Sequence, residues 1–525
     1  MDSCGPHLRS VWRRAALRVA LGALALFQPP VLSLAQMSPG PASDVPASEE
    51  RLTKGQEIEQ LRKRFLDAFK AKQFDAAEEA LLRWIALDGR DFVPYYNMAC
   101  TAAQQGNVDV GERMLQAAVI RGFGDRVKLV SDPDLEPLRS GETYKAILEG
   151  WDRIITASVE RRLSDLETKY TKAKGYVYER DEADRLAFVS AFEPGSFKEA
   201  KDLLARLTMW WDTQVLPKDE PWRSGQSPSR GGEPWVIVIL PTRPDFQAWA
   251  QDAYGGMWER IGGEYAHDER RLIAMDLGST LRHEYWHVLH WRHMERLGQR
   301  HPAWIMEGLC SLVEDVEIGP EGQAVFIPSW RTNITKKAAR SGGLMPLEAL
   351  FALDPGTFLR NRPLAQYAHA RSLFLFLASK NKLRDWYTLY VENYTQDPTG
   401  RVAFEKLFGK PIKEVDKDFR AWLRSLPDTA VEIRPGMANL PFDVDMGSGD
   451  GVVVISYPGS RGAGIKMRDI VTAIDGKPVR DLYDVARVLS QYKPGQAVDI
   501  AYKRPMAKGE QRPAVASVTL IRQPS

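Results

Sequence analysis

The chain has 525 residues, with 71 Lys and Arg against 69 Asp and Glu and a formal net charge of +2. That near-neutral balance gives no electrostatic basis for nucleic-acid binding. Three cysteines do not make a disulfide scaffold, so stability has to come from packed cores, and the chain is long enough for several.

The first segment reads as a secretory signal peptide over residues 1–35. Arg9, Arg13, Arg14 and Arg18 form a basic stretch, residues 19–27 are apolar, and Ser33-Leu34-Ala35 offers small residues for cleavage before Gln36. The apolar run is too short to span a bilayer, and Pro29-Pro30 ends any helix. The expected location is exported, periplasmic or extracellular, with no stable membrane span after cleavage; an uncleaved anchor is the alternative. Residues 36–50, rich in Pro, Ser, Ala and Gly, read as a linker.

Residues 51–121 have a helical pattern. Asn107-Val108-Asp109 follows Gln73-Phe74-Asp75 by 34 residues, and at the same offset Gly111 matches Ala77, Ala102 matches Ala68 and Leu115 matches Leu81. This period, with small residues at close-packing positions, resembles tetratricopeptide (TPR) repeats, and the expected repeat block covers 51–145. A long helix is expected over residues 144–176. Strands are expected over 186–190 and 235–240 with a helix over 197–215 between them, and a hairpin turns at Asp268-Glu269-Arg270. Cys100 and Cys310 read as buried small hydrophobes.

The richest chemistry lies in His283-Glu284-Tyr285-Trp286-His287. Ser279 or Thr280 is expected to cap a helix opening at Leu281. Positions i and i+4 share one helix face, so two imidazoles can hold one metal ion, and the glutamate beside the first can act on water. Seven of the eight histidines fall between His267 and His369, which concentrates metal-binding chemistry there. A catalytic zinc takes three protein ligands and keeps one open position. Glu307 is a good third ligand: nineteen residues separate it from His287, enough for a turn at Gly298 or Pro302 and a returning helix. His290 lies on the same helix as the pair, and three ligands on one straight helix cannot surround an ion, so it reads as a supporting residue.

His283-Glu284-x-x-His287 followed by Trp304-Ile305-Met306-Glu307-Gly308 is similar to the gluzincin metallopeptidases, and most to their zinc aminopeptidase branch in peptidase group MA. The resemblance covers about residues 188–426. It implies one Zn²⁺ per chain on His283, His287 and Glu307, with Glu284 as general base. It also implies that Glu314, seven residues past Glu307, orients His283, and that Tyr367 stabilises the oxyanion, with His369 as the rival. Gly262-Gly263-Glu264-Tyr265 resembles the edge strand that binds extended substrate in this superfamily. The glycine-rich motif that holds a substrate amine is not clear, which favours an endopeptidase over an aminopeptidase.

From residue 431 the pattern changes to short strands around a helix over 482–491. Gly451-Val452-Val453-Val454-Ile455, Pro458-Gly459-Ser460 and Asp469-Ile470-Val471-Thr472-Ala473-Ile474-Asp475-Gly476 resemble the PDZ domains of bacterial proteases. The resemblance implies capture of a peptide C-terminus, with Gly451, Val452 and Val453 as the binding segment. Arg468-Asp469 departs from the usual Gly-Asp. The expected fold is therefore multidomain: α-helical TPR-like repeats over 51–145, an α+β gluzincin-like metallopeptidase domain over 146–430, and a mainly-β PDZ domain over 431–525. The expected partner is a protein or peptide substrate; a non-catalytic TPR–PDZ adaptor is the competing reading.

Overall fold

The computed structural model describes residues 53–218, 232–254, 262–449, 451–456, 459–506 and 511–524, so the expected signal peptide and linker lie outside the described residues. The chain divides into two compact units at Trp151 and Asp152.

The described part of the first unit is helical. Thr53 and Gln56 form a reciprocal capping box that starts α1 (Lys54–Lys70). It packs on α2 (Phe74–Leu87), and α3 (Phe92–Gln104) packs on α4 (Val108–Ile120). The equivalent Ala77 and Gly111 are both buried, on α2 and α4. A Cβ on Gly111 would come within 2.8 Å of Leu138 Cδ2, which explains the small residue there. After α5 (Arg126–Ser131) and a 3₁₀ turn, α6 (Glu142–Glu149) ends at Gly150, and α7 (Trp151–Lys169) follows. The single long helix expected over 144–176 is thus two helices. Gly150 caps the first with its N–H on Ala146 O, and the second ends seven residues early.

The second unit begins with a five-stranded sheet, order β1-β2-β3-β5-β4. Its strands are β1 (Val177–Asp181), β2 (Leu186–Ser190), β3 (Trp235–Ile239), β4 (Gly263–Ala266) and β5 (Arg271–Ala274). β2, β3 and β5 are parallel neighbours, and β2 and β3 are buried at every position, as continuous apolar strands covered on both faces should be. One face carries residues of α7 and α9 (Arg243–Tyr254). The other meets α8 (Pro194–Trp210), α10 (Ser279–Leu297) and α11 (Ala303–Glu314). β1 escapes sequence reading because it is an edge strand with mostly exposed, charged positions and no alternating apolar signal. β4 is the opposite edge and lies beside α10.

A short hairpin, β6 (Val316–Ile318) and β7 (Ala324–Phe326), leads to α12 (Trp330–Arg340), α13 (Leu347–Phe351), α14 (Pro355–Arg360) and α15 (Pro363–Ser379). α16 (Leu383–Asn393), α17 (Arg401–Phe408) and α18 (Ile412–Ser425) complete this core. The C-terminal module has its own core. Its strands are β8 (Ala438–Asn439), β9 (Val444–Met446), β10 (Val452–Val454), β11 (Ile470–Ile474), β12 (Lys477–Pro478), β13 (Ala497–Pro505), β14 (Gln511–Thr519) and β15 (Ile521–Arg522). The main sheet runs β14-β13-β11-β10-β9, and α19 (Leu482–Leu489) buries Val485, Val488 and Leu489 against it. No helix among the described residues is long and apolar enough to cross a membrane.

Candidate metal centre

α10 begins at Ser279 with Gly278 as its cap residue and no side-chain cap, so neither Ser279 nor Thr280 plays the expected capping role. It ends at Gly298, whose left-handed backbone (φ 66°) is one that glycine adopts without strain. α11 then packs on α10 and brings a carboxylate back to the two imidazoles. Glu307 Oε2 lies 3.4 Å from His283 Nε2 and 3.5 Å from His287 Nε2. Ligands held about 2.0–2.1 Å from a tetrahedral ion stand roughly 3.4 Å apart, so the donor set fits zinc. Glu307 is 2% exposed and its Oε2 has no hydrogen-bond partner, an orphan a cation would satisfy.

The electrostatics follow from this crowding. Burial raises the Glu307 carboxyl, but the two histidines outweigh it and hold it at about 2. Burial lowers His283, but the neighbouring carboxylates of Glu307 and Glu314 outweigh it and bring it to about 10. Burial pushes Glu284 up to about 8; His283 opposes the rise, while Glu307, Glu264 and Glu314 add to it. A carboxylate so raised can take and return a proton near neutral pH. Gly263 of β4 makes the room for it: a Cβ there would stand 2.7 Å from Glu284 Cγ.

Glu314 sits behind the centre, where its Oε1 accepts from His283 Nδ1 at 2.9 Å. Burial raises its pKa, but Arg331 and His283 bring it to about 2. Arg282, one residue before His283, donates to Val313 O and Glu314 O, satisfying carbonyls at the end of α11 and locking the two helices together. Tyr367, on α15, is 2% exposed, and its ring lies 6.5 Å from that of His283. Its hydroxyl has no hydrogen-bond partner, and burial and the nearby Glu307 push its pKa well up. α15 comes this near because Gly308 has no side chain: a Cβ there would meet Phe374 Cε2 at 2.7 Å and Ala370 Cβ at 2.9 Å.

The remaining histidines among the described residues do other work. His369 stacks on Phe419 at 5.7 Å, and burial holds it at about 3; no described contact joins it to His283 or His287. His290 Nε2 bonds His301 Nδ1 at 2.7 Å, and His293 Nδ1 bonds the Tyr387 hydroxyl at 2.8 Å, a buried packing network. His267 stacks on Trp291 at 4.3 Å. Tyr265 of β4, expected only as part of a substrate-binding edge strand, also stacks on His287 at 4.9 Å and buttresses that ring.

Cys310 is buried as expected but is not merely packing, since its thiol clusters with His283 and His287 within 4.8 Å. Two donor triads thus share the histidines. The carboxylate triad has the better claim, because Glu307 lies at ligand spacing from both nitrogens, whereas burial pushes the Cys310 thiol well above its usual pKa. In the C-terminal module the expected binding segment needs correction. Val452 and Val453 lie on β10, which is paired on both sides, to β9 and β11. Among the described strands, the sheet edge that lies next to α19 is β9, because the sheet order and not the local sequence decides which strand is outermost.

Comparison with known proteins agrees with that module. The PDZ domain family matches residues 437–518. One curated protein, a probable periplasmic serine endoprotease DegP-like of Rhizobium meliloti (strain 1021), is 33% identical over 89 residues, which is 16% of this chain and 16% of that one. The C-terminal module is a PDZ domain, and the chain spans only about a sixth of the length of the curated relative it matches.

Proposed function

We propose that the protein is an exported zinc-dependent metallopeptidase, most simply an endopeptidase, whose PDZ domain and helical repeats position a protein or peptide substrate. The observation that carries this reading is the placement of His283 Nε2, His287 Nε2 and Glu307 Oε2 at zinc-ligand spacing beside the buried Glu284. The match to part of a periplasmic protease supports export and a link to proteolysis, although that relative is a serine enzyme.

His283, His287 and Glu307 hold the ion, which when bound supplies Lewis acidity toward water and a carbonyl oxygen. Glu284 takes the proton from the attacking water and returns it to the leaving amine. Glu314 keeps His283 in the tautomer that offers Nε2. The Tyr367 hydroxyl, buried and unpartnered, donates to the developing oxyanion. β4, the outermost strand of the sheet among the described residues, aligns extended substrate beside Glu284 by backbone pairing. Zinc analysis together with digestion of N-terminally blocked peptides tests the reading. Cleavage of blocked peptides supports an endopeptidase, cleavage of free N-termini alone an aminopeptidase, and a zinc-free inert chain a PDZ adaptor.

A further inference from the structure

The frame of the metal centre extends past its own helices. Arg331, the second residue of α12, grips Glu314 with two bonds, Nε to Oε2 at 2.8 Å and Nη2 to Oε1 at 3.0 Å. Its guanidinium, on a side chain 6% exposed, lies 4.5 Å over the Trp330 ring and 5.9 Å over the Tyr367 ring. Arg331 therefore touches both the group that orients His283 and the ring proposed to meet the oxyanion.

What holds Trp330 comes from the PDZ domain. Tyr483 of α19 stacks on it, with ring centroids 5.9 Å apart and planes 30° from parallel. Three residues earlier, Arg480 donates to Val316 O at 3.3 Å, two residues past Glu314, and Asp484 pins Arg480 in place at 2.6 Å. A third tie joins Leu277 N to Ser448 O at 2.8 Å, just before α10. These contacts fall at the start of α10, just past the end of α11 and at the start of α12. Those are the helix ends that carry His283, Glu314 and Arg331.

We propose that Tyr483 is a positioning residue for the metal centre: stacked on Trp330, it keeps Arg331 on Glu314 and so fixes the ring of His283. This rests on the zinc reading above. A carboxylate that orients a ligating histidine tunes affinity, and loss of such support typically weakens metal binding about 10–100-fold. One link further out, the lower end of that range is expected.

The test is zinc affinity of the full-length chain by competition with a chromophoric chelator. Tyr483→Ala should bind zinc about tenfold more weakly, and Trp330→Leu, which removes the same stack from the other side, should match it. Tyr483→Phe keeps the ring and should keep wild-type affinity. Val488→Ala trims the PDZ core on the same helix without reaching Trp330 and should also keep it. The proposal is overturned if Tyr483→Ala binds like the wild type, or if Val488→Ala weakens binding as much, which would make the effect one of PDZ stability. A wild-type chain that binds no zinc overturns the zinc reading and this inference together, so the two failures are distinguishable.

Discussion

Gly308→Ala is a one-carbon change with an outsized expected effect. The added Cβ would sit 2.7 Å from Phe374 Cε2, 2.8 Å from Phe374 Cδ2 and 2.9 Å from Ala370 Cβ. Comfortable carbon contacts are about 3.5–4.0 Å, so α11 and α15 have to move apart by much of an ångström. Overpacking of this kind costs roughly 1–3 kcal/mol, and replacing glycine by alanine inside a helix returns about 1 kcal/mol, leaving a net loss of roughly 0–2 kcal/mol. Function should suffer more than stability, because α11 carries Glu307 and α15 carries Tyr367. A displacement near 1 Å at a reacting centre costs on the order of 100-fold in rate. Denaturant unfolding and peptide-hydrolysis kinetics on the same preparation measure both. The expected result is a small stability loss with a fall in kcat of on the order of 100-fold. Wild-type kcat with unchanged stability would refute the claim that this glycine sets the distance between the two helices.

Three further outcomes are expected. Gly263→Ala crowds Glu284 and Thr280, so kcat should drop while zinc content, measured by elemental analysis, stays near one per chain; loss of zinc instead would place Glu284 or β4 in the wrong role. Glu307→Ala should abolish tight zinc binding, whereas Cys310→Ala should retain it, and chelator competition that showed the reverse would make the thiol the third ligand. Asp481 caps α19, and burial, with Asp484 and Asp315 nearby, pushes its carboxyl up to about 7. The native state then keeps a proton that the unfolded chain releases near pH 4, so the stability it contributes is full below that pH and is lost as pH rises through about 7. Asp481→Asn, which preserves the cap, should flatten that decline in pH-dependent unfolding curves, and an unchanged slope would show that Asp481 is not its source.

What the sequence made legible was local. His283 and His287 share a face because a helix repeats every 3.6 residues, and Glu307 is reachable because Gly298 and Pro302 mark the turn between two helices. The buried strands β2 and β3 announce themselves as apolar runs. What stayed hidden depends on partners distant in sequence. Arg331 has no motif around it, and its role appears only when α12 packs against the end of α11. The outermost strand of the PDZ sheet is decided by pairing order, so Val452 and Val453, apolar and strand-like, were one strand too far inside. Gly150 looks like any glycine in a helical run until its break separates α6 from α7.

The proposed chemistry rests on Glu284 as the proton-handling group of a zinc centre. Its most direct test is hydrolysis of an N-terminally blocked peptide by Glu284→Gln protein whose zinc content has been measured. The expected result is about one zinc per chain, as in the wild type, with hydrolysis lost. Full activity in that variant would contradict the role given to Glu284.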